Sequence, residues 1–461
     1  MLKLTGLGSQ SEEFVNDREL TMKKGDTTQD QGTERKLKVL LYGLNHAPEI
    51  VGIGRYSGDL AQWLAHRGHA VRVITAPPYF PQWRAKDNRY RREKMGNVEV
   101  QRCPLWVPAR PSGLTRLIHL ASFAASSLPP LLAQRRWKPD VVLTVAPAFF
   151  CAPGALLLST LCRRRARKAG DARTMSWLHI QDLELDAAFE LGMLSGGWIR
   201  YLAEKWERYT LRGFDRVSTI STAMQNRLIE KGVDRKKLSL VPNWVDLEAI
   251  QPQDGKTKAM NGYRKELGLS NESCVLLYSG SMNKKQGLEM LLPVMAELSD
   301  VPNLVWLMAG EGPTKAELME KTERLSARKK GRIDVRWLPL QPAERLNDWL
   351  NVADIHLLPQ KGSAADLVLP SKLLGILASG RPVVASSPAE SELGRLAEQA
   401  GLRVEPDDAQ GFAQAIRRLA MDSRLRSSYG KSAREIAEKH FGRDAVLKRM
   451  EEELQRKRNH E

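Results

Sequence analysis

Cysteine is scarce in this sequence: Cys103, Cys151, Cys162 and Cys274 stand apart in apolar contexts, and no CxxC pair occurs. That spacing excludes a disulfide framework and a thiolate zinc site, and it reads as buried thiols in a reducing compartment. The stretch from Met1 to Arg35 is polar and mixed in charge. It lacks the apolar centre of a secretory signal and reads as a disordered extension, or as an over-long start with Met22 as the initiator. No GxxxxGK[ST] loop is present, which disfavours a P-loop hydrolase. Gly52-Ile53-Gly54 looks like part of a dinucleotide fingerprint, but the third glycine is missing and the pair lies well past the first strand. The second strand ends in Thr75-Ala76-Pro77-Pro78, with no acid for a ribose, so a dehydrogenase is disfavoured too. Long apolar runs are equally rare. Val141 to Cys162 is uncharged over the roughly 20 residues a bilayer span needs. Pro147, Pro153 and Gly154 interrupt it, so it reads as a buried strand, Val141 to Val145, leading into a helix.

What the sequence has in excess is positive charge: 71 Lys and Arg against 54 Asp and Glu, a formal net charge of +17 in 461 residues. Nucleic acid, anionic lipid and phosphorylated substrates all suit that field. No nucleic-acid module or interleaving of aromatic and basic residues accompanies it, so no nucleic-acid partner is expected. Two basic clusters follow apolar helices, Arg135-Arg136 with Lys138, and Arg163-Arg164-Arg165 with Arg167 and Lys168. They suit peripheral contact with an anionic inner leaflet.

From Lys38 the chain alternates β-rich runs with helical patterns. The first strand is Val39 to Tyr42, and the helix after it places Tyr56, Leu60, Trp63 and Leu64 on one face. Further strands are expected at Val71–Ile74, Val98–Gln101, Val141–Val145, Thr174–Leu178, Arg216–Ile220 and Leu238–Val241. A polar break near Pro252 to Gly262 interrupts the rhythm. It restarts at Cys274–Tyr278 and continues with Leu304–Met308, Ile333–Trp337, Asp354–Leu358, Pro382–Ala385 and Leu402–Val404. The fold class is therefore α/β, with two Rossmann-like, doubly wound domains facing across a cleft. Their expected extents are 36–251 and 263–440, after the extension 1–35 and before a C-terminal helix at 441–461.

The second domain carries loops suited to a nucleoside diphosphate. Gly280-Ser281 to Lys285-Gln286-Gly287 follows a strand and offers free backbone N–H groups beside lysines. Pro370-Ser371-Lys372 opens a helix, and Lys372 in a first turn opposes the helix dipole unless an anion sits beside it. In the first domain, Gly52 and Gly54 allow close backbone approach. His179 and Asp182 follow a strand and reach its carboxyl end, where one of them can orient or deprotonate an acceptor hydroxyl. Glu184 and Asp186 make that segment acidic in a basic chain. No His, Asp and Glu cluster has metal-ligand spacing, so no metal or other cofactor is expected.

These motifs resemble those of the retaining glycosyltransferase family 4, of GT-B fold, from Leu37 onward, and within it the colanic-acid biosynthesis glycosyltransferases. The resemblance rests on Gly43 to Tyr56 with Pro48-Glu49, on Val73 to Trp83, on His179-Ile180-Gln181-Asp182 and on Pro242-Asn243-Trp244. In the second domain it rests on Lys285 to Glu289 and on Ala364-Ala365-Asp366 through Lys372. It implies transfer of a sugar with retention, with fucose from GDP-fucose as one such donor, to a polyprenyl-diphosphate-linked oligosaccharide at the cytoplasmic face of the membrane. Glu49, Gly52 and Gly54 would form the acceptor-side or phosphate loop. Gly280, Ser281, Lys285, Gly287, Pro370, Ser371 and Lys372 would hold the donor, with Asp366 near the sugar. The chain departs from the family where two glutamates seven residues apart are usual: Leu367 and Gly375 stand there. Ser281 and Gln286 replace the usual arginine and lysine of the first donor loop. A nucleotide-sugar epimerase of the same fold and a non-catalytic nucleotide-binding scaffold are the alternatives.

Overall fold

The computed structural model of the protein describes residues 35–456, except 50–51, 80–82, 86, 110–112, 147–149, 171, 184–185, 187–196, 254–260 and 362–368. β1 (Lys38–Gly43), β2 (Ala70–Thr75), β3 (Arg91–Met95), β4 (Val98–Arg102), β5 (Val141–Ala146), β6 (Met175–Ile180), β7 (Arg216–Thr219) and β8 (Leu238–Leu240) form one sheet. Its order is β3-β4-β2-β1-β5-β6-β7-β8. β9 (Cys274–Ser279), β10 (Leu304–Ala309), β11 (Asp334–Leu338), β12 (Ile355–Leu358), β13 (Val383–Ser386) and β14 (Gly401–Val404) form a second, in the order β11-β10-β9-β12-β13-β14. Both are parallel apart from the β3–β4 pair. The strand order reverses beside β1 in one sheet and beside β9 in the other, and a crevice opens at such switch points.

The central strands are apolar along their whole length because both faces are covered. Successive residues of β1 alternate between layers: Leu40 and Tyr42 pack with Ile74, Phe123 and Leu178, while Val39 and Leu41 pack with Leu64, Val73 and Trp177. β3 is a strand that periodicity does not announce. Its sequence RREKM holds one apolar residue, and it lies at an edge, where charge blocks pairing with another chain.

The helices are α1 (Ile53–His66), α2 (Gly113–Ala133), α3 (Ala152–Ala169), α4 (Gly197–Gly213) and α5 (Thr222–Glu230) in the first half. In the second half α6 (Gly262–Glu266), α7 (Leu291–Glu297), α8 (Lys315–Arg328), α9 (Leu346–Val352), α10 (Ser371–Ala378), α11 (Glu392–Ala400), α12 (Ala409–Met421) and α13 (Ser423–Ile436) follow, and α14 (Arg443–Arg456) closes the described chain. The uncharged run Val141 to Cys162 resolves into β5 and the start of α3. Among the described residues no helix is long and apolar enough to cross a membrane.

The C-terminal helix, expected at 441–461, is α14, and it packs on the first half. Val446, Leu447, Met450 and Leu454 of α14 join the layer of Val39, Leu41 and Trp177, so α14 completes the first half rather than extending the second. A buried polar clamp holds it there. His69 Nδ1 accepts from the Leu37 N–H at 3.0 Å, which leaves Nε2 to donate to Glu451 at 2.7 Å. The chain thus crosses between halves twice, and the crossings are tied together. Val245 N–H donates to the Phe441 carbonyl at 2.8 Å and Arg443 N–H to the Val245 carbonyl at 2.9 Å. Side chains change sides between Trp244, in the first core, and Val245, in the second. That lies a few residues before the polar break, of which 254–260 fall outside the described residues.

Candidate functional site

The loop after β1 is shaped by what lies beneath it. Glu49 is buried, accepting from Asn45 Nδ2 at 2.8 Å and from the Tyr79 N–H at 3.2 Å. A Cβ at Gly54 would sit 2.6 Å from Glu49 Cβ, so this glycine makes room for the carboxylate. Glu49 is therefore a prop of the loop. Gly52 takes φ +62° with open space around it and caps α1, and no side chain occupies that cap. Arg102, also buried, donates to the carbonyls of Ala47 and Ala76 and ties the loop to β4. The first turn of α1 holds no acid to oppose an anion at its amino end.

The loop after β9 begins at Gly280 and runs through a single-turn 3₁₀ helix, Lys284–Gln286, before α7 starts at Leu291. Two tight turns, the second at Leu288–Met290, thus separate the loop from α7. Gly287 takes φ +61° and packs on Lys361, whose N–H donates to the Lys285 carbonyl at 3.3 Å. Ser281 is exposed, and its carbonyl accepts from Tyr278 Oη at 2.5 Å. Two glycines missed in the sequence hold this loop from below. Gly310 and Gly312 follow β10 with φ +150° and +157°, and a Cβ at 310 would fall 1.8 Å from the Gly280 carbonyl oxygen. The signal was present as G-x-G directly after a strand. Gly310→Ala is expected to displace the loop and lower stability by about 2 kcal/mol or more. Thermal unfolding checks this; an unchanged melting temperature would show the contact to be dispensable.

Lys372 is the centre of the second half's contribution. Pro370 precedes α10, and Lys372 lies in its first turn. Its Nζ stands 4.4 Å from the centre of the Tyr278 ring and 3.2 Å from Gln286 Oε1. A Cβ on Gly280 would lie 3.5 Å from Nζ, so the loop after β9 and α10 meet at this amine. Gln286 gives Lys372 a neutral partner rather than a second cation. Burial lowers the ammonium pKa to about 7. A desolvated amine at the positive end of a helix, next to a neutral amide, suits an incoming anion.

A cavity of ≈ 230 Å³ joins the two halves here, lined by Gly52 and Arg55 from one side and by Ser371 and Lys372 from the other. Two helix amino ends and two cations therefore border one space, over an apolar floor that includes Leu277 and Leu374. Arg55 was missed in the sequence, where it was one basic residue among many. Asp366 lies outside the described residues.

On the other side of the cleft the two expected catalytic residues part company. His179 lies within β6 rather than after it and is 3% exposed. Its Nδ1 is 2.9 Å from Ser218 Oγ and its Nε2 3.3 Å from Gln181 Nε2, and burial pushes its pKa down to about 4. Both nitrogens face protein, so the geometry removes His179 from contact with an acceptor. Asp182 stays at the carboxyl end of β6, open to water yet enclosed by the cleft walls. That enclosure raises its pKa, against the Leu183 N–H and the charges of Arg116 and Lys285. Lys285, from the second half, thus faces Asp182, from the first. Glu184 is outside the described residues. Asp186 is engaged by Lys231 at 2.6 Å and Arg227 at 2.9 Å, so the acidity of this segment is partly structural.

Arg116, whose charge acts on Asp182, adjoins an aromatic cluster that the sequence did not reveal. Tyr79 lies 4.8 Å from His119 and 5.8 Å from Trp83, centre to centre, and the Arg116 guanidinium lies 5.9 Å from the Trp83 ring. His119 Nδ1 is 2.7 Å from the Trp106 carbonyl, while its Nε2 is buried with no hydrogen-bond partner among the described residues.

Two parallel-sheet domains meeting across such a cleft define the GT-B class of glycosyltransferase. Residues 51–244 match the model of a glycosyl transferase 4-like domain and residues 273–422 that of glycosyl transferases group 1. The chain belongs to this glycosyltransferase family. It is 43% identical over 423 residues to WcaI of Escherichia coli K12, a glycosyl transferase named for colanic acid biosynthesis, spanning 89% of this chain and 98% of that one. Sucrose-phosphate synthase from Thermosynechococcus elongatus shares the fold with a TM-score of 0.63 at 17% identity, over 90% of this chain and 98% of the other. HepE of Anabaena, solved with UDP and glucose, does so with a TM-score of 0.61 at 15% identity, over 90% and 99%.

Proposed function

We propose that this glycosyltransferase moves a sugar from a nucleotide-sugar to a lipid-diphosphate-linked oligosaccharide during assembly of a colanic-acid-like exopolysaccharide. It acts with retention of configuration, without a divalent ion, on the inner face of the plasma membrane. Fucose from GDP-fucose is the first donor to try. The observation that carries this reading is the shared cavity, where the amino ends of α1 and α10 converge with Arg55 and Lys372. Breaking a sugar–diphosphate bond places negative charge on the departing phosphate, and these groups meet it from both sides. The protein's own cations then take the part a metal plays elsewhere. Asp182 accepts a hydrogen bond from the attacking hydroxyl, and its raised pKa makes it a better proton acceptor than an ordinary aspartate. Trp83, partly exposed and backed by the buried rings of Tyr79 and His119, offers a sugar ring an aromatic face.

Thermal unfolding with GDP, UDP, ADP and dTDP, each with and without EDTA, tests the donor half of this reading. One nucleotide is expected to raise the melting temperature selectively, by mass action on the folded state, with EDTA making no difference. Lys285→Ala and Lys372→Ala are expected to reduce the response. No response to any nucleotide would sink the assignment.

A further inference from the structure

α4 presents the solvent with a surface that water alone does not favour. Trp198 is 70% exposed, Tyr201 61%, Leu202 50% and Tyr209 77%. At helical spacing these four share one face, and Lys205 and Arg208 are exposed among them, the Lys205 Nζ 5.8 Å from the Tyr201 ring. The opposite face is buried through Glu207, Thr210 and Leu211. Both acids of the helix are accounted for elsewhere, Glu207 by Lys231 at 2.5 Å and Glu204 by Arg200 at 2.8 Å. The outward stripe therefore combines aromatic rings, a leucine and cations, with no carboxylate in it.

We infer that this face of α4 is the part of the protein that seats on a bilayer rich in anionic phospholipid. Tyr and Trp settle at the level of the headgroups, with the ring in the apolar boundary and the polar edge in water. Cations in the same stripe meet lipid phosphates. Leu157 of α3 is also exposed, at 45%. The leucines and tyrosines of a second copy would match the apolar part of the stripe, but a two-fold pairing would also set its cations against each other in a chain of net charge +17.

The placement also serves the chemistry. In a parallel sheet the helices run back against the strands, so α4 enters near the carboxyl ends, where β6 delivers Asp182, and leaves at the amino end of β7. Its Trp198 end thus lies toward the cleft mouth. The basic clusters read from the sequence lie at the other end of the sheet. Arg163 is spent inside the fold, donating to the Thr174 carbonyl and Ser176 Oγ at 3.0 Å each, and Arg135 to Lys138 adjoin the start of β1, where Lys38 Nζ donates to the Trp137 carbonyl at 3.3 Å.

This inference rests on the membrane partner of the proposed function and gives it an address. Flotation of the full chain with phosphatidylcholine vesicles, with and without phosphatidylglycerol, tests it independently of transfer. The wild type is expected to float with the phosphatidylglycerol vesicles and not with phosphatidylcholine alone. A Trp198→Ser, Tyr201→Ser, Tyr209→Ser variant, and separately Lys205→Glu with Arg208→Glu, are expected to lose about tenfold or more in vesicle affinity. Both variants should keep the wild-type melting temperature and its shift with nucleotide, which separates failure of this surface from failure of the donor site. Failure of the wild type to float, or flotation of both variants like the wild type, would overturn it. So would a change from dimer to monomer in the variants with no vesicle binding by the wild type, which would make the face a contact between copies.

Discussion

Lys372→Ala is expected to lower transfer by about 10²- to 10³-fold, the usual loss when a preorganised charge is removed from a departing oxyanion. The fold should survive, because among the described residues the amine makes one hydrogen bond, to a neutral glutamine. Its environment yields a second signature. In the free protein the amine titrates near 7, through burial. A bound diphosphate restores the charged form, so nucleotide binding at about pH 8 is expected to take up a proton and to weaken as pH rises further. Calorimetry in buffers of different ionisation enthalpy reads that proton directly. The sign for stability is opposite to that of a paired lysine. The pKa of Lys372 in the folded protein lies below the ordinary value of about 10.4, so the buried charge opposes folding fully below about pH 7 and progressively less as pH rises toward 10. Lys372→Met should therefore be more stable than the wild type at about pH 6, with the gap closing by about pH 10. A gap that stays constant across that range would show that the amine is solvated in the free protein.

The second large effect is expected at Asp182. Asp182→Asn should reduce kcat by about 10²-fold or more while largely keeping the nucleotide-induced thermal shift, because in the proposed reaction this side chain meets the acceptor hydroxyl. The acid limb of the wild-type pH profile is expected to lie above the ordinary aspartate value, through enclosure in the cleft, and to vanish in the variant. His179→Gln offers the contrast. It removes a buried ring that meets Ser218 and Gln181, so it should lower stability and leave the acid limb in place. An acid limb lost in His179→Gln and kept in Asp182→Asn would reverse the assignment.

Much of the fold was legible because a parallel sheet covered on both faces writes its strands as short apolar runs, as Val141 to Val145 and Leu304 to Met308 do. β3 was hidden for the opposite reason: an edge strand protected by charge has no apolar pattern to read. The return of α14 to the first half was equally hidden, since an amphipathic helix does not say which layer it covers. Loop glycines were legible as glycines, while their reasons lay in distant contacts. Gly54 makes room for Glu49, and Gly310 for the Gly280 carbonyl. Lys372 could be found because a lysine in a helix's first turn conflicts with the dipole. Arg55 raised no such conflict in the sequence and emerged only when the cavity brought it opposite. His179 and Asp182 looked equivalent at a spacing of three, but strand alternation and the end of β6 send one into the core and leave the other in the cleft.

The most direct test of transfer with retention is to incubate the protein in EDTA with each nucleotide-sugar and a polyprenyl-diphosphate-linked acceptor, and to determine the anomeric configuration of the product by NMR. Acceptor-dependent release of one nucleoside diphosphate, with the donor's configuration kept in the new linkage, is the predicted result. Inverted product, or a changed sugar still attached to its nucleotide with no need for acceptor, would contradict the account.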